Sequence, residues 1–362
     1  MTTDTQEVLS DELAHLRISG GASGVDEGLT TLDEFVKTTF QPTLHNQINL
    51  EPIVPTHSFF DRAKELHQKH EWPEERFENF QRLLCGTRNF PCILLLNPKN
   101  DLLPFDEMVK ATPTLTWLEN TLEEIGLRLD DVIIMDLFPM LTDEWLEEHP
   151  DKRDQVIPEM FGLTLDFIRE FKLPIILSCQ CFRPFQHERW GSFNHEMISK
   201  LSSSMVSAEC QTVFGFHFEE HFIQRGRVEP SNFGFYFEEH FIHCVRGFHP
   251  AILDYVDDER EHTSLDKNLR QIFHSLFEPC AHWQNENLEK TLHGTRMSIQ
   301  ILIERLRQSA AEYDQLRMRG HPPGMSQHRE DLITAEQWDN TEKALNLIVQ
   351  LLPPNTSKKS PW

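Results

Sequence analysis

Three short apolar runs constrain the fold of this chain more than any other feature. They are Cys92–Leu96 (CILLL), Asp131–Met135 (DVIIM) and Leu173–Cys179 (LPIILSC). Each is too short for a buried helix and too apolar for a strand with one wet face, so each reads as a strand covered on both sides. Between them lie stretches of helical period. Thr116–Ile125 precedes Gly126 as a cap, and Asp154–Phe171 carries Val156, Met160, Leu163 and Phe167 on one face. Strands alternating with helices predict an α/β protein with a mainly parallel sheet sandwiched by helices.

The strand ends share a second property. The first run stops at Asn97-Pro98, the second at Asp136-Leu137-Phe138-Pro139, and a later extended segment at His249-Pro250. Proline cannot donate to a ladder and holds the preceding residue extended, so each end offers a polar side chain on a stiffened loop. In an open parallel sheet such ends face one crevice.

The remaining chain divides as follows. Residues 1–50 are rich in Thr, Asp, Glu, Gly and Ser and read as a disordered acidic arm. An α/β domain spans 55–280, opening with two helices between Phe59 and Leu84, the second ended by Gly86. Pro113 interrupts the helical pattern from Met108 to Ile125. Ile252–Tyr255 and Leu265–Phe277 are helical, and a helical extension covers 281–352, with one long helix from Trp283 to Arg319 and another from Thr334 to Leu352. Residues 353–362 form a flexible tail. The decapeptide FGFHFEEHFI at 214–223 recurs as FGFYFEEHFI at 233–242. Phe at alternate positions is a strand period, and one repetition is too little for a solenoid.

The formal net charge is −24, which disfavours nucleic-acid binding by bulk attraction and demands a local basic patch for any such contact. Seven cysteines without a secretory-type start lead to an expectation of reduced thiols and a nuclear or cytoplasmic setting. No apolar run approaches the ~20 residues of a membrane helix.

The strand-end residues resemble a known group. Asn97-Pro98 followed by Pro104-Phe105-Asp106-Glu107, then Asp136-Leu-Phe-Pro139, then His249-Pro250-Ala251, is similar in order and rough spacing to the motifs of the uracil-DNA glycosylase superfamily, closest to its single-strand-selective monofunctional branch. The likeness covers about 90–277. It implies a uracil-DNA glycosylase-like fold that hydrolyses a base–sugar bond without a cofactor or metal. It also implies single-stranded or damaged DNA, or a free nucleobase, as the ligand. By the resemblance, Asn97 positions the attacking water, His249 stabilises charge on the leaving base, Phe105 stacks on a flipped base, and Asp136 faces its hydrogen-bonding edge. Pro98 and Pro250, on the stiffened loops, and Ile252 count with Phe105 and Asp136 as substrate-binding residues, and Ile252 or Leu253 is an apolar wedge. The departures bear on activity. Leu96 and Lys99 flank Asn97-Pro98 where the family has Gly, Asp136 replaces Asn, and Ala251 replaces Ser. Ionised Asp only accepts hydrogen bonds, so it repels the O4 of uracil unless protonated, and suits the amino group of cytosine.

Other patterns point elsewhere. His217-Phe-Glu-Glu-His221 fits a zinc-protease spacing that requires a helix, against its strand period. Cys179-Gln-Cys181 with His187 or His195 is a poor metal spacing beside buried strand-end thiols. Arg296, Arg305, Arg307, Arg317 and Arg319 make the long C-terminal helix locally basic, a salt-bridged face or a nucleic-acid patch. Three functions stay open: a glycosylase of altered base preference, a catalytically inactive glycosylase-fold module binding a nucleotide or protein, and an interaction protein whose C-terminal helices engage a protein partner.

Overall fold

The computed structural model describes residues 30–47, 51–182, 190, 193–218, 240–318 and 335–351. It divides after Ala281 into two compact units. The first is an α/β unit built on a mixed sheet of six strands: β1 (Thr30–Thr31), β2 (Cys92–Leu95), β3 (Ile134–Asp136), β4 (Ile175–Ser178), β5 (Thr212–Phe218) and β6 (His240–Arg246). Their order across the sheet is β1-β5-β6-β4-β2-β3. β3, β2, β4 and β6 run parallel, while β5 is antiparallel to both its neighbours. The apolar runs produce this arrangement. Every residue of β2 and of β4 is buried, as parallel strands covered on both faces require.

The helices of this unit are α1 (Leu32–Phe35), α2 (Gln41–His45), α3 (Ser58–Lys69), α4 (Glu74–Leu84), α5 (Phe105–Ala111), α6 (Pro113–Ile125), α7 (Asp143–Glu148), α8 (Arg153–Phe171), α9 (Glu196–Leu201), α10 (Met205–Glu209) and the start of α11 (Glu259–Met318). Pro113 sits in the first turn of α6, where its missing N–H costs nothing, so α5 and α6 are separate helices. Gly126 caps α6 with φ of 94°, a left-handed conformation that glycine adopts without strain. One large core, centred on Phe59, Leu94, Phe138, Phe161 and Phe167, packs alternate residues of β2, β3, β4 and β6 against α3, α4, α8 and α9.

Several expectations are corrected. Residues 30–47 are not part of a disordered arm. Leu32, Phe35, Val36, Phe40 and Leu44 are buried, and their helical spacing outweighs the polar composition around them. The second strand begins at Ile134, because Leu129–Asp131 forms a 310 turn in which Asp131 accepts from the Arg128 N–H. Gly86 does not end α4, which stops at Leu84. A Cβ on Gly86 would lie 2.3 Å from the Val132 carbonyl carbon, so glycine is required there for close backbone approach. The expected helices at 265–277 and 283–319 are one helix, α11, with Pro279 inside it. Phe273, Leu276, Phe277 and Cys280 around that proline are fully buried, and such packing offsets its local cost of about 3 kcal/mol. The first repeat copy begins on β5. Residues 219–239, including most of the second copy and Glu220 and His221, lie outside the described residues.

The second unit contains the rest of α11 and α12 (Ala335–Leu351). Arg307 on α11 pairs with Glu342 on α12 at 2.7 Å. Leu288, Met297, Ile301 and Leu347 are exposed. Among the described residues no helix is long and apolar enough to cross a membrane.

Candidate functional site

In the parallel part of the sheet, the chain leaves β2 toward β3 on one side and leaves β4 toward β6 on the other. The switch point therefore lies between β2 and β4, and ligands of open α/β sheets bind outside the carboxyl ends of such strands. Asn97 follows β2, Asp136 ends β3, and His249 follows β6, so all three stand at that edge. The β2 and β3 ends are laced together. The Leu137 N–H donates to the Leu95 carbonyl at 2.8 Å, and the Phe138 N–H to that of Leu96 at 3.0 Å.

A cavity opens beside these ends. Arg76 and Asn79 of α4, Pro98, Asp101, Asp136 and Met140 are among its walls. Ile134 and Asp136, two residues apart on one face of β3, both border it. Its empty space is about 330 Å³ counted with the solvent mouth, yet a water centre fits in only about 20 Å³ of it, room for one or two waters.

Arg76 and Asp101 are 5% and 4% exposed and form a buried ion pair. Nε lies 2.6 Å from Oδ2, too bent for a hydrogen bond, and Nη2 donates to Oδ1 at 3.4 Å. Asn79 Nδ2 donates to the carbonyls of Asp101 and Leu103, each at 2.8 Å. These contacts fasten the 97–104 loop to α4. Burial raises the Asp101 pKa and Arg76 partly offsets the shift. Among the described residues no side chain hydrogen-bonds the Asp136 carboxyl, and burial, with the Asp101 charge behind it, pushes its pKa up to about 7. Part of Asp136 stays open to the cavity.

Asn97 Nδ2 donates to Asp143 Oδ1 at 3.2 Å. Asp143 opens α7, whose cap is Thr142, so a carboxylate holds the Asn97 amide with its oxygen turned the other way. His249 caps the 310 turn Pro250–Tyr255, its Nδ1 accepting from the Ala251 N–H at 3.2 Å. The neutral ring then carries its proton on Nε2 and presents a donor. Burial first, and the Lys99 charge second, push the His249 pKa down to about 4. Lys99 thus links the Asn97-Pro98 loop electrostatically to the His249-Pro250 loop.

The expected residues are brought together only in part. Pro98 and Asp136 line the cavity; Asn97, Phe105 and His249 are not among its walls. β3 and β6 are three strand spacings apart, ~14 Å, so Asp136 and His249 start from well-separated positions. Phe105 is half-buried at the start of α5, with the Arg82 guanidinium 3.8 Å above its ring. Arg82 is itself paired with Asp106 and Asp130. Pro250 is buried and Ile252 half-buried. Leu253 is 6% exposed, which takes it out of contention as a wedge, whereas Tyr255 on the same turn is 76% exposed.

Arg76, Asn79, Asp101 and Asp143 were missed by sequence reasoning. A signal existed for two of them. Arg76 and Asn79 stand three apart beside Phe77 and Phe80, as polar positions on a helix face that the apolar pattern already assigns to the interior. Cys179 is buried and Cys181 exposed, while His195 Nδ1 accepts from the Met197 N–H, so these three do not assemble as ligands. His187 lies outside the described residues. Among the described residues no cluster of three His, Cys, Asp or Glu side chains is placed to hold a metal. No family model and no curated protein sequence matches the chain.

Proposed function

We propose that this chain is a divergent uracil-DNA glycosylase-like protein that hydrolyses a base–sugar N-glycosidic bond with altered base preference. The observation that carries the reading is Asp136. It is a carboxyl group on the wall of a cavity at the carboxyl edge of a parallel sheet, with a pKa of about 7. Asn97, held by Asp143, supplies an amide oxygen suited to orienting a water for attack on the sugar. Neutral His249, with a donor at Nε2, suits a developing anion on the leaving base. Asp136 then decides the base. Protonated, it donates to a ring carbonyl such as that of uracil; ionised, it accepts from an exocyclic amino group such as that of cytosine.

A second reading, a module that binds a nucleotide or partner without catalysis, is favoured by the cavity's room for only one or two waters and by the guanidinium covering Phe105. One experiment separates them. The chain is incubated with single-stranded oligonucleotides carrying uracil, cytosine, hypoxanthine or xanthine, below and above Asp136's pKa of about 7, and abasic sites are counted. Cleavage lost in Asn97→Ala and His249→Ala is the expected result, with uracil preferred on the acid side. Binding without cleavage in any arm gives the second reading, and neither binding nor cleavage rejects both.

A further inference from the structure

We propose that Arg246 anchors a phosphate-binding site at the carboxyl end of β6, one that takes a phosphate group of a nucleotide or of a nucleic-acid strand. Arg246 is the last residue of β6, paired in register with Ser178 of β4. It is 8% exposed, and its Nη1 is buried without a hydrogen-bond partner. Among the described residues no carboxylate pairs with it. Its neighbours cannot supply the missing charge. The guanidinium lies 4.1 Å above the Phe214 ring, and its polar contact is the Cys244 thiol, which burial keeps protonated.

Arg76, which is also buried, is held differently. Arg76 has Asp101 against it and donates to the Met140 carbonyl as well. A guanidinium does not give up its proton in a protein, so Arg246 remains a buried cation. Leaving such a charge without a counter-ion costs several kcal/mol, and a flat aromatic face returns only about 2 kcal/mol of it. An oxyanion that accepts two N–H bonds from the planar fork removes the deficit.

The Ser203 hydroxyl donates to the carbonyl of Gly247, the residue after Arg246, and so fixes the backbone there, while the neighbouring Ser202 and Ser204 hydroxyls are bonded to the Phe182 carbonyl and the Ser207 hydroxyl. Lys200, one turn back on α9, holds its ammonium 5.4 Å over Phe216, whose ring stacks on Phe214 at 5.7 Å. Arg246 is thus a fixed, buried cation in a chain of net charge −24. The loop to His249 begins one residue later. The proposal does not depend on N-glycosidic chemistry.

The test is calorimetric titration of the full chain with inorganic phosphate, a nucleoside monophosphate and a short single-stranded oligonucleotide, at matched ionic strength. Saturable phosphate binding is expected, weakened about tenfold or more in Arg246→Met and Arg246→Lys, since Lys keeps the charge but not the fork. Tighter binding of the monophosphate points to a free nucleotide, and tighter binding of the oligonucleotide to a strand. Absence of saturable phosphate binding to the unmodified chain overturns the proposal, whatever the variants do. So does binding that both folded variants retain undiminished. Unfolding curves of the variants without phosphate supply the remaining check. If Arg246→Met strongly destabilises the chain and phosphate does not stabilise the parent, Arg246 is a packing residue only.

Discussion

Asp136 and His249 are shifted in opposite senses by the same cause, burial, and this gives the site a testable signature. For Asp136 the folded-state pKa is about 7 against an ordinary 3.8. Between those values the folded chain holds a proton that the unfolded chain has released, so stability falls as pH rises through this window. For His249 the folded-state pKa is about 4 against 6.5. There the unfolded chain binds the extra proton, and stability rises with pH over its window. Each slope is about 1.4 kcal/mol per pH unit, and where the windows overlap they nearly cancel. Asp136→Asn is therefore expected to expose a limb that rises between about pH 4 and 6.5, and His249→Gln a limb that falls between about pH 4 and 7. Urea unfolding midpoints at closely spaced pH values read both. Profiles in both variants that parallel the parent's would mean that neither group is desolvated in the folded chain.

At the scale of elements, α4 is the part that makes the candidate site more than a set of strand ends. Its Arg76 and Asn79 grip the 97–104 loop through Asp101 and Leu103. Arg76→Met strands Asp101 in the interior and is expected to cost about 3–5 kcal/mol, with most of that recovered in the double variant Arg76→Met/Asp101→Leu, where no charge is left behind. A double variant no more stable than the single one, in chemical unfolding, would mean that Arg76 contributes by filling space. Gly86→Ala belongs at this scale too. Its Cβ would meet the Val132 and Ile133 backbone within 2.4 Å, so a loss of about 3 kcal/mol or more is expected, because backbone cannot yield as a side-chain tip can.

The elements that could be read beforehand were those whose signal is local. β2, β4, α8 and the Pro113 break follow from runs and periods in their own residues. The order of the strands, the antiparallel placement of β5 and the docking of residues 30–47 through a few buried side chains depend on pairings across the chain, such as Thr30 with Val213, which no window of sequence contains. The site divides the same way. Asn97, Asp136 and His249 were visible because a strand end and a proline mark them. Asp101, Asp143 and Arg246 were not, because what distinguishes each is a partner, or the lack of one, that only the folded chain supplies.

At the scale of the whole molecule, a net charge of −24 sets what any nucleic-acid contact must look like. Self-repulsion among carboxylates weakens the compact state, and salt screens it, so rising salt is expected to raise the unfolding midpoint. The same salt acts on strand binding through counterion release, which counts the phosphates neutralised. For a single strand the logarithm of the affinity falls by about 0.7 per neutralised phosphate for each unit in the logarithm of salt concentration. Among the described residues the cations at the carboxyl edge are few. Lys99 lies beside His249, and Arg246 lies at the end of β6. Contacts through about two phosphates correspond to a slope near −1.4. Fluorescence anisotropy of a labelled single-stranded oligonucleotide, titrated at several salt concentrations, measures that slope. Arg246→Met should make it shallower by about one phosphate's worth, while Arg307→Met, on α11 in the second unit and paired with Glu342, should leave it unchanged. A slope near −4 or steeper would place the strand on a broader basic surface, such as the arginine-rich part of α11, and would remove the sheet edge from consideration as the nucleic-acid contact.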